Sequence, residues 1–252
     1  CQNQVLPTQE RCANKKDDDC DGQVDEFGGR ALSFSGGSDR VEIPHHDRLN
    51  IQGNFTIEIW FFAEPLGKRP LAILINKHKA FDDANGYHLK IQGASAECGF
   101  SWWTLNDGGQ LLFGPCPVRK WTHIALTYNS KTTDYQFFLN GKKTKTGKQK
   151  LAIGTNKYPL LLATESNTTG DPNFRGQIAS FRISDSVRYT KDFKPTCIFS
   201  SDTNTVGVWN LDDGGGTSIK DLSPQKLQGK TIGARWATGR VCNASSKGGC
   251  VP

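Results

Sequence analysis

The feature that most constrains this chain is a period of two. In the run Phe-Thr-Ile-Glu-Ile-Trp-Phe-Phe-Ala at 55–63, Phe55, Ile57, Ile59 and Phe61 fall on one face of an extended strand, and Trp60 and Phe62 on the other. A strand that is apolar on both faces must be covered on both sides, which places it centrally in a sheet. Similar short segments recur at 31–34, 40–43, 71–76, 87–92, 97–103, 110–113, 121–128, 134–139, 151–153, 160–163 and 177–184, with a last group from Val206. Glycine and asparagine turns separate them, and helical periodicity is nearly absent. The pattern predicts an all-β sandwich.

A chain of 252 residues could hold two average domains or one large β-sandwich; 27 glycines, 11 prolines and 10% aromatic residues favour the single sandwich. No apolar run approaches the roughly 18 residues that a membrane span needs. The chain contains no methionine and opens on Cys1, as expected of a mature product whose targeting segment has been removed. Eight cysteines without a CxxC pair fit disulfides formed in an oxidising compartment, so a secreted or cell-surface location is expected. Cys98 and Cys116 flank a hairpin, and Cys242 and Cys250 close a short Gly-Ser loop. Cys1, Cys12, Cys20 and Cys197 are left to pair among themselves, unless Cys1 carries a lipid.

The stretch Asp17-Asp18-Asp19-Cys20-Asp21-Gly22-Gln23-Val24-Asp25-Glu26 concentrates six carboxylates in ten residues. Asp17, Asp19 and Asp21 alternate ahead of Gly22, the spacing of positions one, three, five and six of a calcium loop. Gln23 would add its backbone carbonyl and Asp25 the ninth position. The twelfth position, usually a bidentate glutamate, is Gly28, and Glu26 could replace it from a shorter loop. Ca2+ is the expected ion, because all the ligands are hard oxygens. It would serve as a structural clamp on an N-terminal arm.

The formal charge of +6 is partly concentrated in the run Gly-Lys-Lys-Thr-Lys-Thr-Gly-Lys-Gln-Lys at 141–150, which follows the Asn140-Gly141 hairpin signal. The run reads either as a solvated turn or as a landing patch for an acidic polysaccharide or a membrane surface. Nucleic acid is not expected, since the run has no interleaved aromatic residues.

Several separated motifs resemble the laminin-G-like members of the concanavalin A-like lectin/glucanase superfamily. They are Ala-Leu-Ser-Phe-Ser-Gly-Gly-Ser-Asp-Arg-Val-Glu-Ile-Pro at 31–44, the strand opening at Phe55, Trp-Thr-His-Ile-Ala-Leu-Thr-Tyr at 121–128 with Phe-Leu-Asn-Gly at 138–141, and Phe-Arg-Gly-Gln-Ile-Ala-Ser-Phe-Arg-Ile-Ser at 174–184. The motifs cover residues 31 to about 195, and the resemblance implies a jelly-roll β-sandwich, expected over 30–240 between the calcium-loop arm at 1–29 and the disulfide-closed tail at 241–252. The block from Val208 to Trp236 is similar to a segment that opens many relatives, so here it is either a permuted edge of the same sandwich or a truncated second repeat. The resemblance also implies a second calcium position near Asp39, although Ala179 stands where many relatives have an acidic residue. The acidic stretch resembles a Cys-rich metal-binding motif of bacterial surface proteins.

Catalysis is not expected. Glu58 stands alone between Ile57 and Ile59, there is no serine in a nucleophile elbow, and the five histidines have no metal-ligand spacing. Recognition of an extracellular glycan or a surface protein remains, with a structural subunit capable of self-association and a glycoside hydrolase as the alternatives. Trp102 and Trp103 alternate across a strand, so one could stack on a sugar while the other packs inside. Asp82, Asp83 and Asn85 in one loop, and Asn167 and Asp171 in another, could hydrogen-bond to hydroxyl groups.

Overall fold

The computed structural model describes residues 30–66, 70–79, 83–105, 107–165 and 173–238. Among them the strands, in chain order, are β1 (Arg30–Ser35), β2 (Arg40–Ile43), β3 (Phe55–Ala63), β4 (Leu71–Lys79), β5 (Asp83–Gln92), β6 (Glu97–Trp103), β7 (Gly108–Pro115), β8 (Trp121–Asn129), β9 (Asp134–Leu139), β10 (Lys142–Lys148), β11 (Leu160–Leu162), β12 (Arg175–Ser184), β13 (Thr205–Trp209), β14 (Ser218–Ile219), β15 (Gly229–Ile232) and β16 (Arg235–Thr238). A short 3-10 turn spans Asp47–Leu49.

Two antiparallel sheets result. The first runs β10-β9-β8-β3-β12-β1-β16, with β13 alongside β12; the second runs β14-β15-β2-β11-β4-β5-β6-β7. Between them lies the main core, to which β3 contributes Phe55, Ile57, Ile59 and Phe61, all fully buried, and β5 contributes Tyr87, Leu89 and Ile91. Burying each such side chain contributes about 1.5–3 kcal/mol. The other face of β3 is covered as well, because Trp60 and Phe62 pack with Trp121, Phe199 and Val208 in a second, smaller cluster. The central, doubly covered position read from the 55–63 run is the one observed.

The C-terminal block belongs to this same sandwich. β13 pairs with β12, β15 with β2 and β16 with β1, so it extends both sheets. Trp209 on β13 stacks on Phe181 of β12 with ring centroids 4.4 Å apart.

Turn chemistry follows the sequence in two places. Asn140 and Gly141 both take positive φ, 49° and 75°, at the β9–β10 hairpin. Gly141 is also required there because a Cβ would run into the Phe193 carbonyl. Cys98 and Cys116 form the expected disulfide, with Cα atoms 5.2 Å apart. Cys197 is buried and disulfide-bonded, and its partner lies outside the described residues, as do Cys1, Cys12, Cys20, Cys242 and Cys250.

Two segments differ from the sequence reading. The lysine run is not a turn but the edge strand β10, which gives no alternation signal because nearly all its side chains are in water. Conversely, Leu151 and Ile153 are buried in the main core, but 151–153 joins no strand.

Candidate functional site

The outward face of the second sheet gathers polar and aromatic side chains. Alternation along β5 sends Tyr87, Leu89 and Ile91 into the core and His88 and Lys90 outward; along β6 it sends Phe100 and Trp102 inward and Ser101 and Trp103 outward. Cross-strand register then aligns Asn76, His88, Ser101 and Gln110 in one row over β4, β5, β6 and β7. The neighbouring row is His78, Gly86, Trp103 and Gly108.

Trp103 is held from two sides. His78 stacks on it with ring centroids 4.2 Å apart and planes 17° from parallel, while His88 meets it edge-on at 4.8 Å. Gly108 in its row makes room, since a Cβ there would lie 3.0 Å from the indole Cδ1; Gly86, where φ is +123°, is required for a different reason, because a Cβ would run into the Lys77 carbonyl. The indole remains partly exposed.

Beneath it the polar row is incompletely satisfied. His88 is 4% exposed, yet among the described residues neither ring nitrogen has a hydrogen-bond partner, and the Oδ1 of its register partner Asn76 has none either. The Asn76 amide donates to the carbonyls of His78 and Glu165, both at 2.7 Å, which orients its oxygen. Burial, reinforced by the charges of Lys90 and His78, holds the His88 imidazole well below its usual pKa. It therefore stands neutral at pH 7, with one nitrogen able to donate and the other to accept. Lys90 donates to Gln110 Oε1 at 3.1 Å; burial lowers its pKa, against the opposing influence of Glu165. An unmet buried polar group costs about 1–3 kcal/mol, so among the described residues this row carries a local destabilising cost.

At the end of the sandwich, Asp47, Asn50, Gln52, Thr155, Asn156, Lys157 and Tyr158 line an open cleft of about 610 Å³. Asn156 ties the cleft to the outward face, since its amide donates to the carbonyls of Lys77 at 2.8 Å and Asn85 at 2.9 Å.

The residues singled out in the sequence scatter differently. Trp102 lies in the main core at 3% exposure, and Trp103 is the indole that faces outward. Asn85, half-buried, lies within β5 beside Gly86 and not in the loop expected from the sequence. Asp83 begins β5, paired with Lys79. Asp82, Asn167 and Asp171 lie outside the described residues, as do the loop residues Asp17, Asp19, Asp21, Gln23, Asp25 and Glu26. Asp39 is engaged in the β1–β2 turn, where its Oδ2 accepts from the Ser35 amide at 2.7 Å and the Ser35 hydroxyl at 2.6 Å. Ala179 is fully buried, and no three His, Cys, Asp or Glu side chains gather among the described residues.

The sequence reading missed His78, His88 and Asn76, because no linear spacing marks residues that meet only through strand pairing. Glu58, read from the sequence as lacking a paired carboxylate, is engaged by other groups in the fold: its Oε1 accepts from Arg182 Nε at 2.8 Å, while Oε2 accepts from the Tyr189 hydroxyl at 2.9 Å and lies 3.3 Å from His123 Nε2. Burial alone would raise the Glu58 pKa, but the His123 hydrogen bond and the Arg182 charge outweigh it and hold the carboxyl below the usual range.

Residues 35–192 match Laminin_G_3, described as the concanavalin A-like lectin/glucanases superfamily, and the chain belongs to that family. Among solved structures, a Bacteroides ovatus protein to which carbohydrate binding is provisionally ascribed superposes with a TM-score of 0.62 at 15% identity, over 84% of this chain. The match covers 60% of that protein, so this chain spans less than two thirds of the relative's length. The CBM40 module of Ruminococcus gnavus IT-sialidase, solved with α2,3-sialyllactose, superposes with a TM-score of 0.52 at 15% identity, over 64% of this chain and 94% of the module. With α2,6-sialyllactose the corresponding values are 0.50, 15%, 64% and 92%. At such identities the likeness establishes the fold. No curated protein matches the chain in sequence.

Proposed function

We propose that the chain is a secreted or surface-displayed carbohydrate-recognition module that binds glycans without transforming them. Its binding surface is the outward face of the second sheet. The carrying observation is the half-exposed Trp103 indole on this face, with His78 stacked against it and His88 meeting it edge-on. An indole stacks on the apolar face of a sugar ring, and here the half-exposed Trp103 ring is the part of this face that a ligand can reach, while the buried Asn76 and His88 position it from below. The CBM40 likeness supports a glycan ligand. A non-catalytic role is supported by Glu58, which is fully buried with both oxygens engaged and so cannot reach a glycosidic bond.

In the same reading, the acidic residues Asp17, Asp19, Asp21 and Asp25 with Gln23 hold a structural calcium ion in an N-terminal arm at 1–29. The sandwich occupies 30–240 and a disulfide-closed tail 241–252. The oxygen-only ligand set and the even cysteine count support calcium and an extracellular setting.

Binding by a shallow face is weak for one copy and strengthens when copies are linked. A glycan array read with multimerised protein is the direct test. Binding to at least one neutral or acidic glycan is expected, with Trp103→Ala losing most of the signal while remaining folded by circular dichroism. No binding to any glycan, or binding unaffected by Trp103→Ala, would overturn the assignment.

A further inference from the structure

The edge strand β10 carries Lys142, Lys143, Lys145 and Lys148, all exposed. The chain around it adds more cations. At the Lys148 end, Lys150 follows the strand, and Lys131 sits in the β8–β9 turn, whose Thr132 carbonyl accepts from Lys148 Nζ. At the other end, the 190–194 segment packs on the strand start, with Phe193 N–H donating to the Gly141 carbonyl and Lys143 Nζ to the Thr190 carbonyl. That segment brings in Lys191 and Lys194, again exposed.

These lysines meet two carboxylates, Asp192 against Lys142 at 3.2 Å and Asp134 against Lys148 at 2.8 Å. Eight cations against two anions leave a surplus equal to the +6 of the whole chain, so the rest of the protein is formally balanced. Lys131, Lys145, Lys150, Lys191 and Lys194 make no salt bridge among the described residues. The stripe follows a seven-residue strand, about 20 Å long at roughly 3.3 Å per residue.

Lysine on an edge strand also guards against edge-to-edge pairing. That role needs charge on the strand alone, whereas here half of the lysines come from flanking segments at both ends. We infer that the β10 edge is a second binding surface, separate from the Trp103 face, which takes a linear acidic polysaccharide laid along the strand. A nucleic acid would call for exposed rings on which bases stack, but Tyr135, Phe137 and Phe138 of the adjoining β9 are buried. A membrane surface would call for exposed apolar anchors, and the exposed large hydrophobic residues among the described ones, Leu105 and Leu222, belong to other segments. Register with β9 sets Lys143 opposite Phe138 and Lys145 opposite Phe137, so the cations flank both sides of one edge, which suits a polymer with charges repeated along that axis.

The test compares wild type with the quadruple variant Lys145→Gln, Lys150→Gln, Lys191→Gln and Lys194→Gln, and with the corresponding Lys→Arg variant. Binding to immobilised heparin and alginate, the sulfated and carboxylated probes, is measured at 50 and 200 mM NaCl, with phosphatidylserine vesicles and duplex DNA alongside. The expected result is heparin or alginate binding that weakens steeply with salt, falls at least tenfold in the Gln variant, and persists in the Arg variant and in Trp103→Ala. Persistence in Trp103→Ala separates this surface from the glycan face, so either proposal can fail alone. Four outcomes would overturn the inference: no retention of either polysaccharide at 50 mM NaCl, equal retention of the Gln variant, equal or tighter binding to vesicles or DNA, or self-association of the Gln variant without loss of heparin or alginate binding.

Discussion

Arg182 and Glu58 face each other across the pairing of β12 with β3, and the guanidinium places Nε at 2.8 Å and Nη2 at 2.6 Å from the same carboxylate oxygen. Both side chains are buried beneath the 185–204 segment. Arg182 also donates from Nη1 to the Ser200 carbonyl at 2.9 Å and lies 5.0 Å from the Phe199 ring centroid, while Tyr189 supplies a hydroxyl to the other oxygen of Glu58. The pair therefore anchors that segment to the outer face of the first sheet.

Removing one partner leaves a buried charge without its counterion, which costs about 3–5 kcal/mol. For a domain of this size, each kcal/mol moves the midpoint by about 2–4 °C. Arg182→Met should thus lower Tm by about 6–20 °C in a thermal melt followed by circular dichroism. Adding Glu58→Gln to that variant should recover part of the loss. An unchanged Tm for the single variant would remove the anchoring role.

The two adjacent tryptophans should behave differently. Trp102→Ala empties a core position and should cost about 3–5 kcal/mol, read as a lower urea midpoint. Trp103→Ala, on the outward face, should move the midpoint far less. Equal losses would mean that both indoles serve the core.

Stability should fall as the solution is acidified below about pH 6.5, in part through His88. Its folded pKa is depressed, so the unfolded chain binds the proton first and the folded state loses ground as pH drops toward the folded value. The contribution approaches about 1.4 kcal/mol per pH unit in that window. His88→Asn should flatten the dependence between pH 6.5 and 5 in denaturant titrations. An identical slope in the variant would assign the acid sensitivity elsewhere.

Calcium should bind the N-terminal acidic loop with a dissociation constant on the order of 10⁻⁴ to 10⁻³ M, as extracellular calcium modules do. Isothermal titration should show one site that Asp19→Ala abolishes. Chelation should expose residues 1–29 to protease while the main unfolding transition of the sandwich stays in place. A chain that takes up no calcium at millimolar concentration would refute the loop assignment.

Period-two alternation is a local property, and it was enough to locate β3, β8, β9 and β12, to foresee that β3 is covered on both sides, and to mark the Asn140-Gly141 hairpin. The Cys98–Cys116 bond was legible for a similar reason, since both residues flank one hairpin. Where side chains lack an apolar face, as along β10, alternation carries no signal and the strand was hidden. Register between strands is set by the fit of whole core faces, and no short window of sequence encodes it. The chain alone thus determined the sandwich, its central strand and its cationic run. Only the tertiary structure decided that Asn76, His88 and Ser101 share one row beside Trp103, that Glu58 meets Arg182 from 124 positions away, and that Lys131, Lys191 and Lys194 join the β10 edge. Such juxtapositions exist only once distant strands have paired and the loops between them have packed.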